Sequence, residues 1–279
     1  MLLKLESRQT GGSFKLRGAL NVLLLLSDAE RARGVVASSA GNHGLGIAIA
    51  AERLGVRATV FVPAGAAAVK RTGIAVHGAA VDATQPDYDS AERAARAFAT
   101  ATGATFVSPC TGRALLAGAG TVAMEILTDF PALRTIIVPV GGGGLVGGVG
   151  GYLRDLASGV RILGAQSVLT NAMSLALAGG RPTAIPDRPT LADGLAGLVD
   201  AEMLAQGKAA IDAIATVEEQ EIASAIAWAW HHHQLTVEGA GAVGIAALRS
   251  GALRPAGFPV VVIVSGANID ADKHRAIVG

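Results

Sequence analysis

Between residues 34 and 107 the sequence alternates short apolar runs with longer segments of helical period, and turn formers separate most of them. Residues 34–39 read as a buried strand, and the helix over 42–54 that follows is ended by Gly55. A strand over 57–62 closes at Pro63, a helix covers 67–77, a strand 79–82, a helix 87–102 ended by Gly103, and a strand 105–107. Strands that alternate with helices in this way pair in parallel, because each return to the sheet needs a crossover segment of helical length.

A second series follows Pro109, with helices over 115–128 and 145–156 and strands over 135–140 and 160–166. Residues 179–197 carry Pro182, Pro186 and Pro189 and read as an irregular excursion bordering a site. Helices from 218 to about 233 and over 239–248 precede a last apolar strand over 259–265. Upstream of the alternation, 20–26 reads as a buried helix and 2–5 as a short strand. The expected fold is therefore α/β, two three-layer open parallel-sheet domains: 1–33 with 112–279 forming the large one, and 34–111 the small one. Because the strand at 2–5 has no element before it, the expectation is that an N-terminal segment of the fold is missing.

Composition narrows the function classes. Hydrophobic residues make up 51% of 279, enough for a large core, which excludes general disorder. Lys plus Arg (23) nearly cancels Asp plus Glu (22), so the chain lacks the electrostatic footprint of a nucleic-acid or anionic-membrane binder. One cysteine, Cys110, allows no intrachain disulfide and points to a reducing compartment, the cytoplasm. No apolar run has signal or transmembrane length. The expected partner is a small molecule.

In a parallel sheet, ligands bind beyond the carboxyl ends of strands. Three loops stand there. Ser38-Ser39-Ala40-Gly41-Asn42-His43-Gly44 offers hydroxyls and the amides of a helix start, suited to a carboxylate, with Asn42 able to bond a phenolic oxygen; it reads equally as an N-capping loop. Gly141, Gly142, Gly143 and Gly144 let the backbone close on an anion at a helix N-terminus, and a phosphate monoester is the expected guest. No lysine or hydroxyl follows in P-loop position. Gly142, Gly144 and Gly147 also satisfy G-x-G-x-x-G, but the next strand ends at Gln166 rather than at the acid a dinucleotide site expects. The third loop is Ser265-Gly266-Ala267-Asn268, a serine and glycine suited to a flat heteroaromatic ring. Near the N-terminus, Lys15 lies in Ser13-Phe14-Lys15-Leu16-Arg17-Gly18-Ala19, an amine with apolar flanks that can trap an aldehyde or simply be a solvated charge.

In this order the four stretches resemble the serine/threonine dehydratase family of fold type II pyridoxal-phosphate enzymes, the tryptophan-synthase-β type. The resemblance covers essentially the whole chain. It implies that Lys15 holds pyridoxal 5'-phosphate covalently through its amine and later takes the substrate α-proton, with Phe14 packed against the cofactor. Asn42 would bond the 3-oxygen, Gly141 to Gly144 the phosphate, and Ser265 the pyridine nitrogen, with Glu238 near the ring or else merely an acid at a helix start. Ser39, Ala40, Gly41 and His43 would surround the substrate carboxylate. The implied reaction is loss of the β-hydroxyl of L-threonine or L-serine to give a 2-oxo acid and ammonia. A hydroxyectoine-utilisation or 3-hydroxyaspartate dehydratase, or a non-catalytic relative, are the alternatives.

Leu16-Arg17 after the lysine matches dehydratases rather than the Lys-Asp-Arg of sulfhydrylases and threonine synthases. Alanine at position 40 stands where serine racemases carry an acid-acting serine. Many relatives bind a divalent cation through an acid at the strand end; Gln166 and Ala172 lack that carboxylate, so no metal is expected. Relatives are commonly homodimers or homotetramers. His231 to His233 sit on adjacent helix positions that face different directions, a surface feature rather than a metal site.

Overall fold

The computed structural model describes residues 1–156, 159–186 and 188–279. The chain divides into two compact units, 1–14 with 119–279, and 15–118.

The first unit is built on a five-stranded parallel sheet, from β1 (Leu2–Leu5), β9 (Val260–Val264), β6 (Thr135–Pro139), β7 (Arg161–Ser167) and β8 (Ala213–Val217), in that spatial order. Runs such as Val-Val-Val-Ile-Val in β9 are apolar at every position because both faces are covered. Val260, Val262 and Val264 pack with α10 (Glu219–His233) and α11 (Gly239–Arg249). Val261 and Ile263 point the other way, among residues of α6 (Arg113–Asp129), α7 (Gly144–Asp155), α8 (Ala172–Gly179) and α9 (Ala201–Ala210). The period of two thus builds a three-layer unit. A last helix, α12 (Ala271–Val278), follows β9.

The second unit has four parallel strands in the order β4 (Ala80–Gln85), β3 (Ala58–Pro63), β2 (Val35–Ser38) and β5 (Thr105–Phe106). Val35 and Ala37 of β2 pack with α1 (Lys15–Leu24), α3 (Asn42–Leu54) and α4 (Ala68–Ala75), while Val36 faces α5 (Tyr88–Thr102). α2 (Asp28–Arg33) is capped by Ser27, whose side chain accepts from Glu30 N. This unit too has three layers.

The expected elements from 34 to 107 are present, with ends displaced by at most three residues. Among the described helices and strands five were not foreseen: α2, α8, α9, β8 and α12. Between 180 and 199 the described residues form only a 3-10 turn (Asp193–Leu195) and an isolated bridge of Thr183 with Val199, the irregular excursion the prolines signal. The helix expected over 20–26 instead begins at Lys15 and ends at Leu24, leaving Leu24 and Leu25 exposed. His231 to His233 are exposed at the end of α10. Among the described residues no helix is long and apolar enough to cross a membrane.

Candidate active site

In the unit 15–118 the strand β2 runs into the loop at Ser39, where Ser39 N still donates to Phe61 O at 3.1 Å. The Ser39 hydroxyl then accepts from Gly41 N at 3.1 Å and turns the chain into α3. Gly41 is the N-cap; it has no side chain to close the helix, and the first turn holds no acid. The leading amides of α3, from Asn42 onward, therefore have no acceptor within the helix and carry the positive end of its dipole. Asn42 is half-buried.

His43, expected beside the substrate carboxylate, has its ring in the core of this unit. Its ring is 2% exposed, with Nε2 at 2.9 Å from Val107 O. A carbonyl only accepts, so Nε2 carries the hydrogen, and Nδ1 is buried without a partner. Burial pushes the imidazole pKa down to about 3, helped by the positive charge of Lys15 and opposed by the Val107 carbonyl. A neutral ring has no charge to offer a substrate carboxylate.

Lys15 is the first residue of α1 and is half-buried, and Nζ donates to Pro109 O at 2.7 Å. Its backbone lies against α3 at Gly46, where a Cβ would stand 3.2 Å from the Lys15 carbonyl carbon. The missing side chain at Gly46 lets α1 approach closely enough to fix the lysine. Lys15, the loop 39–43 and the segment 107–109 are thus brought together within this unit.

In the unit of 1–14 and 119–279, β6 leads into the glycine loop. Gly143 is the N-cap of α7 with φ 93°, a left-handed conformation that favours glycine, and no side chain caps the helix. Gly141 is pressed on Leu195, where a Cβ would come within 3.1 Å of Cα. The loop is held at its start by Gln166, which is fully buried at the end of β7. Its Nε2 donates to Val140 O and to Thr170 O, each at 2.9 Å. Its Oε1 accepts from Ser174 N at 2.9 Å. The Gln166 amide is therefore a cross-tie with its two donors and its acceptor engaged. Among the described residues no group of three His, Cys, Asp or Glu side chains is placed to hold a metal ion.

The same unit gathers Phe14, Ser265 and Glu238. Phe14 N donates to Ser265 O at 3.0 Å, Ala267 N to Gly12 O at 2.8 Å, and Glu238 N to Gly266 O at 3.1 Å. The Asn268 side-chain amide donates to Gly11 O at 2.8 Å, and Gly12, at φ 70°, leaves no room for a Cβ beside it. The segment before Lys15 is thereby stitched to the end of β9. Ser265 is 4% exposed and Glu238 8%. Glu238 is the N-cap of α11, and its side chain makes no capping bond.

Two features lay beyond sequence reasoning. The acceptor for Lys15 is a backbone carbonyl, which has no residue-type signature, and Gln166 acts through three backbone groups, one of them 26 residues away.

Comparison with known proteins bears on the whole chain. Residues 1–266 match the family described as pyridoxal-phosphate dependent enzyme. An L-threonine ammonia-lyase of Thermotoga maritima is 40% identical over 280 residues, covering 99% of this chain and 69% of the relative. Maize serine racemase superposes with a TM-score of 0.93 at 29% identity, over 98% of this chain and 85% of that one. The processed form of threonine deaminase isoform 2 from Solanum lycopersicum gives 0.92 at 30%, over 99% and 81%.

Pyridoxal phosphate is the cofactor of such enzymes, and the residues fit it. A glycine N-cap without a side-chain acceptor suits its phosphate, and an anchored lysine amine suits its aldehyde. With an α/β fold of two open parallel sheets and the full-length match, this chain belongs to the pyridoxal-phosphate dependent enzyme family, in its fold type II serine/threonine dehydratase branch.

Proposed function

We propose that this protein is an ammonia-lyase that removes the β-hydroxyl of L-threonine or L-serine and releases a 2-oxo acid and ammonia. The observation that carries the reading is Lys15 at the start of α1, its amine hydrogen-bonded to Pro109 O and its chain neighbour Phe14 tied to Ser265. Bound pyridoxal phosphate supplies the electron sink that acidifies the substrate α-carbon. The Lys15 amine would hold the cofactor and would take the substrate α-proton at Nζ. The leading amides of α3, with Ser39, Ala40 and Gly41, would receive the substrate carboxylate, and His43 would contribute its main chain. Asn42 would bond the 3-oxygen of the cofactor. Gly141 to Gly144 would receive its phosphate at the N-terminus of α7. Ser265 would be the neutral partner of its ring nitrogen, which favours elimination over transamination. Glu238 and Phe14 would border the ring.

Alanine at position 40 supports lyase over racemase, because a methyl group has no proton to return to the opposite face of the α-carbon. We further place the protein in the cytoplasm, as a homodimer or homotetramer.

The test is an absorption spectrum of purified protein before and after borohydride, with peptide mapping, then turnover of L-threonine, L-serine and 3-hydroxyaspartate side by side. A visible-edge band, reduction product on Lys15 and 2-oxobutanoate from L-threonine support the reading. Cofactor bound elsewhere, or preferential turnover of 3-hydroxyaspartate, overturns it.

A further inference from the structure

Glu219 is the first residue of α10, where an acid ordinarily serves the helix dipole. Its carboxylate is engaged elsewhere. Oε1 accepts from Ser167 Oγ at 2.5 Å and from Thr190 Oγ1 at 2.8 Å, and Oε2 accepts from Leu191 N at 2.6 Å. The capping of α10 itself is done by the neighbouring Glu218 together with Glu221. Glu219 thus ties the end of β7 to the turn at 190–195, a stretch that has no strand ladder of its own.

That turn is wedged among residues assigned to the cofactor. Leu195 lies on Gly141, where a Cβ would meet its Cα at 3.1 Å and its oxygen at 3.2 Å. A Cβ on Gly194 would stand 3.0 Å from the Ala240 methyl and 3.9 Å from a Glu238 carboxylate oxygen, and one on Gly239 would overlap Leu191 O. Contacts this close mean that the turn, the glycine loop and the start of α11 cannot shift independently. A weaker tie comes from Lys273, whose amine donates to Thr190 O at 3.4 Å.

We infer that Glu219 is a positioning residue for the phosphate loop: by fixing Thr190 and Leu191 it presses Leu195 against Gly141 and holds the loop in its anion-binding form. This rests on the reading of Gly141 to Gly144 as the phosphate site. Removing the carboxylate frees two hydroxyls and one amide at once. A carboxamide, by contrast, can keep all three contacts with two of them reversed, its NH₂ donating to the two hydroxyls and its oxygen accepting from Leu191 N.

The test compares Glu219→Ala and Glu219→Gln with the parent by hydrogen exchange on cofactor-free protein, then by titration with pyridoxal phosphate. Glu219→Ala is expected to speed exchange of the amides of 190–195 and of 141–147 about tenfold and to weaken cofactor binding about tenfold, with β6 and β9 protection unchanged. Glu219→Gln stays within about twofold on both. Thr190→Val removes one of the three bonds to Glu219, together with the bond from Ala192 N to Thr190 Oγ1; should Glu219→Ala fail to fold, it still speeds exchange at 141–147 and weakens cofactor binding, by less than about tenfold. The inference falls if faster exchange stops at 190–192, if Glu219→Ala binds the cofactor like the parent, or if Glu219→Gln is as damaging as Glu219→Ala. A parent that binds no cofactor sinks the proposed function alone, since the exchange measurements still decide whether Glu219 holds the loop.

Discussion

Replacing Gln166 by glutamate tests whether a neutral amide is required at the end of β7. Gln166 has no exposed surface, and its Nε2 supplies hydrogens to Val140 O and Thr170 O, each at 2.9 Å. In Gln166→Glu an oxygen takes the place of that nitrogen and faces two carbonyl oxygens. Two buried acceptors lose their donors at about 1–3 kcal/mol each, and an unpaired buried charge adds more, so a loss on the order of 3–5 kcal/mol is expected at pH 8. Protonation restores one donor. Burial therefore raises the new carboxyl's pKa in the folded state above its unfolded value, so that the folded state binds the extra proton. Relative to the parent, the variant is then least impaired below the unfolded pKa of about 4.3, and its deficit grows as pH rises towards the folded pKa. Urea unfolding of cofactor-free protein at pH 5.5 and pH 8 measures both the loss and its slope. Three oxygens in one place also suit a hard cation, so millimolar calcium or magnesium restores the variant and leaves the parent unchanged. A variant within about 1 kcal/mol of the parent at both pH values, or one whose loss relative to the parent is no larger at pH 8 than at pH 5.5, refutes the reasoning.

His43, with its pKa near 3, predicts acid sensitivity: below about pH 6.5 the unfolded chain takes up a proton that the folded one refuses, so stability falls by about 1.4 kcal/mol per pH unit towards pH 3. The difference between parent and His43→Gln unfolding at pH 6.5 and pH 4.5 isolates that slope. Gly143→Ala places a methyl at φ 93° and 3.3 Å from Met173 Cε; it costs about 1–2 kcal/mol and weakens pyridoxal phosphate binding at least about tenfold by titration. Ala40→Ser adds a hydroxyl beside the start of α3, and a chiral assay then detects D-serine formed from L-serine that the parent does not form.

Much of the frame was legible because it is written in local patterns. The run Val-Val-Val-Ile-Val and the glycine at 55, which takes φ 64° at the end of α3, announce themselves within a few residues. Helix α9 was missed because Ala-Glu-Met-Leu-Ala-Gln-Gly-Lys-Ala-Ala carries little amphipathic contrast, and β8 because Ala-Ile-Ala-Thr-Val is short and lies at the sheet edge. The site motifs were legible for the same local reason, since glycine N-caps and the Lys15 heptamer are contiguous. What ties them was not. Glu219 reaches Ser167, Thr190 and Leu191 across 52, 29 and 28 residues, and Gln166 reaches Val140 across 26. Such bonds depend on which strand ends adjoin, which residue identity alone does not encode. His43 is the complementary case: its motif marked it for substrate, yet packing against Val107 buried the ring.

Helix caps separate stability from function in a way that one substitution can expose. α2, α5, α9 and α12 open at Ser27, Asp87, Asp200 and Asp270, whose side chains accept the helices' own leading amides. Such helices have spent the donors an anion would need. At α3 the cap is Gly41, whose φ of −104° and ψ of −150° are the extended values an aspartate cap adopts without strain. A Cβ there meets only the Ser39 hydroxyl, at 3.8 Å. Gly41→Asp is therefore expected to stabilise the protein, by a few tenths of a kcal/mol from the cap and about 0.3–1 from charge at the dipole's positive end. The same carboxylate occupies the amides proposed for the substrate carboxylate and repels it, raising KM at least about a hundredfold, the equivalent of about 2.7 kcal/mol. Opposite signs from one atom group are the signature of a helix start reserved for a ligand; a variant that is less stable, or that keeps the parent's KM, means the leading amides of α3 do not serve the substrate.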